Sequence, residues 1–314
     1  MSGASSEPRP GGEEGPPPSL AVVVVNWNGR HLLAECLGSV LTNGYAPLEV
    51  ILVDNGSTDH SVEYVRKAFP TVSIIVSPEN LRWAGGNNLA LRRLRAEPPR
   101  NRQILLLNND TFVPEGSLTR LVLALHGEPR AWAATPRICY FDDPARVWYD
   151  GGEAGPRSGW IRHHGIRRLA GRLSFQPRFV DWGTGCALLL GEDALREIGE
   201  LDESFWFYGE DSDYCLRITA AGGRILHVPT ALVLHHVSDA LGSFSPRKAY
   251  LKSRSHVRLL RRHWSRRSWP LLVPSQVVFY GGLTLWHLFG GRRETASAAL
   301  QGVLDELRGA PPGR

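Results

Sequence analysis

The sequence predicts an α/β domain built on a doubly wound, mostly parallel sheet flanked by helices, followed by a C-terminal helical appendage. Three observations carry that expectation. Apolar runs that read as strands buried on both faces alternate with helical stretches of about a dozen residues. Several of these runs end in Asn or Asp. Beyond residue 244 the chain changes character, with a basic stretch leading into a long apolar one.

Taken in order, LAVVVVNWNG is a continuous apolar run closed by polar and turn residues, the pattern of a doubly buried strand. A helix is expected over Arg30 to Leu41, then a strand in LEVILVDNGSTD ending at Asp54. Ser61 to Phe69 is helical, TVSIIVS a third strand, Ala84 to Ala96 a helix, and RQILLLNND a fourth strand ending at Asp110. Gly116 to Leu125 follows as a helix and Ala131 to Tyr140 as a strand. Gly151 to Arg178 has little periodicity and reads as a long functional loop. DWGTGCALLL is a strand, Asp211 to Ala221 a helix, and GRILHVP and ALVLHH two further short strands.

The C-terminal region starts as a basic helix, Pro246 to Arg267. From Ser245 to Ser268 there are nine Lys or Arg residues and no acid, a pattern suited to a solvated face or to anionic lipid or phosphate. The apolar stretch WPLLVPSQVVFYGGLTLWHLFGG nears the ~20 residues of a spanning helix. Its prolines, paired glycines, Gln276 and His287 favour an interfacial helix pair or helices packed on the catalytic domain. Arg292 to Leu307 is expected to be amphipathic. The expected organisation is a disordered tail over 1–19, rich in Pro, Gly, Ser and Glu, a catalytic domain over 20–244, and C-terminal helices over 245–314.

With 314 residues, 42% of them hydrophobic, the chain can pack a core without disulfide staples, so Cys36, Cys139, Cys186 and Cys215 are expected as reduced, mostly buried thiols. The N-terminus carries no secretory pattern. Cytosolic location is the expectation, with peripheral contact at the inner face of the cell membrane.

Ligands of open α/β sheets bind beyond the carboxyl ends of the strands, so Asn26, Asp54 and Asp110 should line one cleft. A carboxylate at Asp54 suits the imide N–H of uracil or thymine, whereas Asp59 suits helix capping. Gly85 and Gly86 allow close backbone approach at a helix start facing phosphates, and Asn88 lies one turn on. In NND, Asn109 precedes Asp110, whose carboxylate suits a divalent cation bridging a diphosphate, with His235 or His236 as a second ligand. In FWFYGEDSDYCLR three acids crowd a helix start behind aromatic residues. Asp211 is the candidate base for an acceptor hydroxyl.

Taken together, VVVVNWNG, VDNGSTD, NLRWAGGNN, NNDTFVPEG, VDWGTGCALLL, FWFYGEDSDYCLR and VLHHVSDALGS resemble the family-two inverting glycosyltransferases of the GT-A fold, in their bacterial rhamnosyltransferase-like branch. The resemblance runs from about Leu20 to Trp264. It implies a nucleobase site at Asp54 with Asn26 and Asn28, and a donor side that includes Gly85, Asn88 and Asn109. It implies a Mn²⁺ or Mg²⁺ site at Asp110 and His235, with Asn108 where the family's DxD motif has its first Asp. An acceptor side at Trp182, Gly183, Gly185 and Glu210 follows, with Asp211 as base. Arg82 stands where near relatives usually carry Gly. The implied partners are a dTDP-, UDP- or GDP-sugar donor and a saccharide or lipid-linked acceptor in cell-surface polysaccharide or glycolipid assembly.

Rival readings fit less well. A sugar-nucleotide pyrophosphorylase needs a Gly-rich basic loop after the first strand, which NWNGRHL does not supply. A non-catalytic nucleotide or carbohydrate-binding module has no need of Asp110, His235 and Asp211 together. The acid-lined cleft argues against nucleic acid as a partner.

Overall fold

The computed structural model describes residues 17–96, 101–237 and 245–310. The tail expected to be disordered, Met1–Ser19, thus lies outside the described residues apart from its last three.

The first half alternates strand and helix: β1 (Ser19–Asn26), α1 (Arg30–Leu41), β2 (Leu48–Asp54), α2 (Ser61–Ala68), β3 (Ser73–Val76), α3 (Arg82–Ala96) and β4 (Arg102–Asn108). Then come β5 (Thr111–Phe112), α4 (Ser117–His126), β6 (Ala131–Tyr140), β7 (Val147–Tyr149), β8 (Gly152–Ala154), β9 (Ile161–His163), β10 (Arg178–Val180), β11 (Ala187–Leu190), α5 (Glu192–Glu197), α6 (Glu210–Ala220) and β12 (Arg224–His235). Three helices follow: α7 (Pro246–His263), α8 (Trp269–Phe289) and α9 (Arg293–Arg308).

Ten of the described strands form one sheet ordered β10-β12-β6-β11-β4-β1-β2-β3, with β5 paired to β12 and β7 to β6. Strands β3, β2, β1 and β4 are parallel, and β11 inserts antiparallel between β4 and β6. The central strands are covered on both faces, which is why they read as unbroken Val and Leu runs. Leu20 to Val24 and Ile104 to Leu107 are no more than 1% exposed. Each such Val, Leu or Ile side chain contributes about 1.5–3 kcal/mol.

Register places the chemistry. Asn26 pairs with Asp54, and Val25 with Asn108. The sheet order reverses between β1 and β4, so the polar ends of β1, β2 and β4 meet at the switch point.

Three expectations change. GRILHVP and ALVLHH form one strand, β12, parallel to β6 with a register shift between Val228 and Leu232. Pro229 falls within the shift and has no N–H to donate, so the ladder is interrupted there without ending the strand. The expected loop over 151–178 contains the antiparallel pair β8–β9. Beneath it the buried Asp150 carboxylate accepts from Arg137 Nε at 2.7 Å and Arg178 at 2.8 Å, and meets His227 Nε2 at 3.1 Å. Burial alone would raise the Asp150 carboxyl, but the hydrogen bonds from His227 and Arg137 hold it below the usual carboxylate range. The apolar stretch after residue 268 is one helix, α8, with Pro274 inside it, and not a pair.

Helix α7 starts where Ser245 Oγ accepts from Lys248 N at 3.1 Å, with Pro246 in the first turn. It packs on α9 so closely that a Cβ on Gly302 would overlap the Tyr250 carbonyl oxygen. Arg254 and Arg258 both bond the buried Glu306 carboxylate of α9. Asp213, fully buried in α6, takes Arg217 Nε at 2.8 Å and His263 Nε2 at 2.8 Å, fastening α7 to the sheet domain. Arg254 is thereby drawn inside the fold, while Arg247, Lys252, Arg261, Arg262, Arg266 and Arg267 stay exposed, so the run is in large part a solvated face. Helix α8 leaves Leu271, Val277, Val278, Leu285 and Phe289 exposed, and Arg266–Phe289 is long and apolar enough to cross a membrane. All four cysteines are buried and free.

Candidate active site

Asn26, at the end of β1, is completely buried. Its Nδ2 lies 3.3 Å from Asp54 Oδ1 and 3.2 Å from Ser57 Oγ, and its Oδ1 accepts from Asn109 Nδ2 at 2.9 Å. Asp54 Oδ2 accepts from Ser57 N at 2.9 Å. Asn28 has a left-handed φ of 53° and accepts from Thr58 N at 2.8 Å, while its own N–H donates to Ser57 Oγ at 2.9 Å. Asn26, Asn28, Asp54 and Asn109 thus form one polar cluster at the carboxyl ends of β1, β2 and β4. Asp59 caps instead: it accepts from Arg30 N at 2.9 Å and Ser61 N at 3.1 Å.

Asp110 and His235 meet because β5 pairs antiparallel with the end of β12, Thr111 opposite His235. His235 Nε2 lies 3.1 Å from Asp110 Oδ1. His236, pointing the other way as strand alternation requires, bonds Glu35 at 2.6 Å and stacks on Phe141. Of the two histidines, it is His235 that lies beside Asp110. Among the described residues no group of three or more His, Cys, Asp or Glu gathers as a metal cage. One imidazole and one carboxylate still fit a hard divalent cation. Two neighbouring ligands around an octahedral ion bonded at about 2.1 Å stand about 3.0 Å apart. Substrate oxygens and water would complete the shell.

Asp211 stands in the first turn of α6. Its Oδ2 accepts from Gly185 N at 2.8 Å and its Oδ1 from Ser212 N at 2.7 Å. Burial raises its carboxyl above the ordinary value, with these hydrogen bonds pulling the other way. A contact chain joins it to the end of β4. A Cβ on Gly185 would come within 2.7 Å of the Trp83 ring, and Trp83 Nε1 donates to Asn108 Oδ1 at 3.2 Å. Asn108 thus holds an indole that links the end of β4 to the Gly185 turn.

Four expected site residues face elsewhere. Asn88 donates to Leu201 O and Glu203 and accepts from Leu201 N, so its amide holds the 201–203 turn and not a nucleotide. The space a Cβ on Gly85 would take is filled by Leu81 and Glu203, so this glycine serves helix packing, not an open phosphate cradle. Trp182 is only 3% exposed, packed against Tyr149 and His163. Gly183 is pressed on Leu188 and Thr135, with its N–H on Cys215 Sγ. Trp182 thus packs beneath β7 and β9, and Gly183 between β6, β11 and α6. Arg82 has a φ of 62°, a backbone conformation that suits Gly, and its guanidinium lies 3.7 Å over Trp206. Trp83 and Trp148 were not singled out from sequence. Trp148, edge-on to His235 at 4.7 Å, carried no local signal.

Glu210 is buried beside Asp211, its Oε2 without a hydrogen bond. Burial, then the Asp211 charge, pushes it from the ordinary 4.5 up to about 8. At neutral pH it is protonated. Between those values the folded chain keeps a proton that the unfolded chain has lost, so its contribution to stability falls as pH rises through that window and is level above it. Each tenfold difference in proton affinity between the folded and unfolded chain is worth about 1.4 kcal/mol. Glu210→Gln should flatten the fall of Tm between these pH values relative to wild type. Parallel slopes in the two proteins would count against a neutral Glu210.

Residues 21–190, more than half of the chain, match the glycosyl transferase family 2. The chain belongs to that family. It is a glycosyltransferase, and its rhamnosyltransferase-like character is visible in its relatives. Over 245 residues, 71% of this chain and 78% of the relative, it is 29% identical to the N-acetylglucosaminyl-diphospho-decaprenol L-rhamnosyltransferase of Mycobacterium tuberculosis. It is 24% identical over 184 residues to the rhamnosyltransferase WbbL of Escherichia coli, 56% of this chain and 69% of WbbL. Two solved structures share the GT-A fold. GalNAc-T7 with UDP, GalNAc and Mn²⁺ superposes with a TM-score of 0.62 at 16% identity, over 80% of this chain and 49% of that one. The mannosyltransferase PcManGT from Pyrobaculum calidifontis with GDP-Man and Mn²⁺ gives 0.55 at 15% identity, over 92% and 86%. The mixed, mostly parallel sheet with C-terminal helices is thus the GT-A architecture expected from the sequence.

Proposed function

We propose that this glycosyltransferase moves a deoxyhexose such as rhamnose from a nucleoside diphosphate sugar, with inversion, onto a saccharide carried on a lipid diphosphate, in cell-surface polysaccharide or glycolipid assembly. The observation that carries the reading is the meeting of three groups at one end of the sheet: the Asn26–Asp54 cluster, the Asp110–His235 pair and Asp211. The Mycobacterium tuberculosis relative acts on such an acceptor by its name, which supports the acceptor class.

In this mechanism the Asp54 carboxylate accepts the imide N–H of a thymine or uracil base, with Asn26 and Ser57 fixing its orientation. Asn28 and Asn109 complete that wall. Asp110 and His235 would hold Mn²⁺ or Mg²⁺, which when bound offsets charge on the departing diphosphate. Asp211 takes the proton of the acceptor hydroxyl as its oxygen bonds to the anomeric carbon. The bond to the diphosphate breaks on the opposite face, so configuration inverts. The raised basicity of Asp211 makes it a better proton acceptor than a solvated carboxylate, and the neutral Glu210 adds no competing charge beside it.

The exposed face of α8, flanked by Arg266, Arg267, Arg292 and Arg293, supports residence on an anionic membrane surface at the cytoplasmic side. Reconstitution tests both parts. The chain is mixed with anionic vesicles holding a lipid-diphosphate saccharide, a panel of nucleotide sugars and Mn²⁺. Expected are salt-sensitive co-sedimentation and a product of inverted anomeric configuration by NMR. Retained configuration removes the single-displacement mechanism, and absence of co-sedimentation at low salt removes the membrane-surface location.

A further inference from the structure

Strand alternation divides the three side chains of β7. Val147 and Tyr149 are fully buried on one face. Trp148, between them, turns to the opposite face. There its ring stands 4.7 Å from the His235 imidazole, centroid to centroid, at 74°.

His235 is held unevenly. Its Nε2 faces Asp110 Oδ1 at 3.1 Å. Its Nδ1 is buried, and among the described residues no hydrogen bond reaches it. A histidine that ligates a metal is ordinarily aimed by a hydrogen bond on its second nitrogen, from a carboxylate or a carbonyl oxygen. Without that bond the imidazole can turn about its Cβ–Cγ bond unless a neighbour blocks it, because that torsion is soft. The group in contact here is the flat ring of Trp148.

Trp148 is itself braced from behind. His163 of β9 stands 5.0 Å from its ring at 84°, and Trp182 stands 4.9 Å from His163. The turn that joins β8 to β9 is fastened to the C-terminal helices. The Gly159 carbonyl meets His256 Nε2 at 2.9 Å, and the Ser158 carbonyl accepts from Gln276 Nε2 at 2.6 Å and Ser275 Oγ at 3.2 Å. A Cβ on Gly159 would overlap Leu260 and Leu272. The hairpin therefore has little room to move, and the run of contacts from α8 through the hairpin, His163 and Trp148 ends on His235.

We propose that Trp148 is a positioning residue for the divalent cation: its ring, braced by the β8–β9 hairpin, aims the His235 imidazole in place of a hydrogen bond to Nδ1. This rests on the metal reading above. The test is Mn²⁺ affinity, read from the EPR signal of the free ion as the full chain is titrated with UDP and dTDP present, so that no turnover is involved. Trp148→Leu keeps apolar bulk without a flat ring and should bind Mn²⁺ about tenfold more weakly, or worse, as expected for a group that orients a metal ligand. Trp148→Phe keeps a ring and should stay within about threefold of wild type. In a His235→Ala background, Trp148→Leu should change the affinity by less than about twofold, because its effect passes through His235. Tyr149→Phe is the control for a merely structural role. It removes the buried hydrogen bond to the Trp182 carbonyl on the same strand and should leave Mn²⁺ affinity unchanged.

Wild-type affinity in Trp148→Leu overturns the proposal, as does a tenfold loss that persists when His235 is already absent. An equal loss in Tyr149→Phe overturns it too. In each of these cases the metal site itself stands, provided that His235→Ala alone weakens Mn²⁺ binding. Unchanged binding in His235→Ala removes the metal site and this proposal with it. If Trp148→Leu does not melt cooperatively, Trp148→Met takes its place under the same outcomes.

Discussion

Asp211→Asn should lower sugar transfer by about 10²–10⁴-fold, the range a positioned general base contributes. Donor affinity should stay within about threefold, because the loss is confined to the transition state. The geometry makes this a clean substitution. The Asn carbonyl can still accept from Gly185 N or Ser212 N, both of which now bond the carboxylate. Shape at the start of α6 is therefore largely kept, while the proton acceptor is lost. Rapid-quench measurement of a single turnover, with binding by calorimetry, separates the two effects. If turnover falls less than about tenfold, the proton goes elsewhere and Asp211 is a positioning residue.

Asp110→Ala should cost about 10²–10³ in kcat. Removing a Lewis-acid ligand gives up several kcal/mol of charge stabilisation on the leaving diphosphate, and each ~1.4 kcal/mol is tenfold. His235→Ala should show a similar loss, and the double variant should be little worse than either single one, since both act through one ion. The metal concentration for half-maximal activity should rise in both single variants. The protein supplies one carboxylate and one imidazole where the family's motif adds a second acid, so metal retention is expected to depend on bound donor. Activity unchanged by chelation, with either variant fully active, would remove the metal from the account.

What the sequence showed and what it hid have a common physical basis. Asn26, Asp54 and Asp110 were legible because a doubly buried strand must end in polar residues at the sheet edge, and the parallel order aligns those ends. Asn88, Gly85, Trp182 and Gly183 lie near the cleft in sequence, but their side chains or faces turn inward. Spacing gives proximity along an element and not the direction each residue takes once neighbouring elements pack. His235 and His236 could not be told apart until β5 paired with β12, since adjacent strand residues point to opposite faces. In GEDSD the three acids look alike, yet Asp211 accepts from the Gly185 N–H, Glu210 is buried and neutral, and Asp213 is an anchor for α7. Along the basic run from Ser245 the cations look alike in sequence. Which of its cations were already paired depended on Glu306 and Asp213, about fifty residues away on either side.

Donor hydrolysis in the absence of acceptor, across dTDP-, UDP- and GDP-sugars with and without Mn²⁺, tests the central claim most directly. The account predicts that one donor is bound and slowly hydrolysed only when a divalent ion is present, and that Asp110→Ala slows that hydrolysis and raises the ion concentration it needs. No binding of any nucleotide sugar under any divalent ion would contradict it.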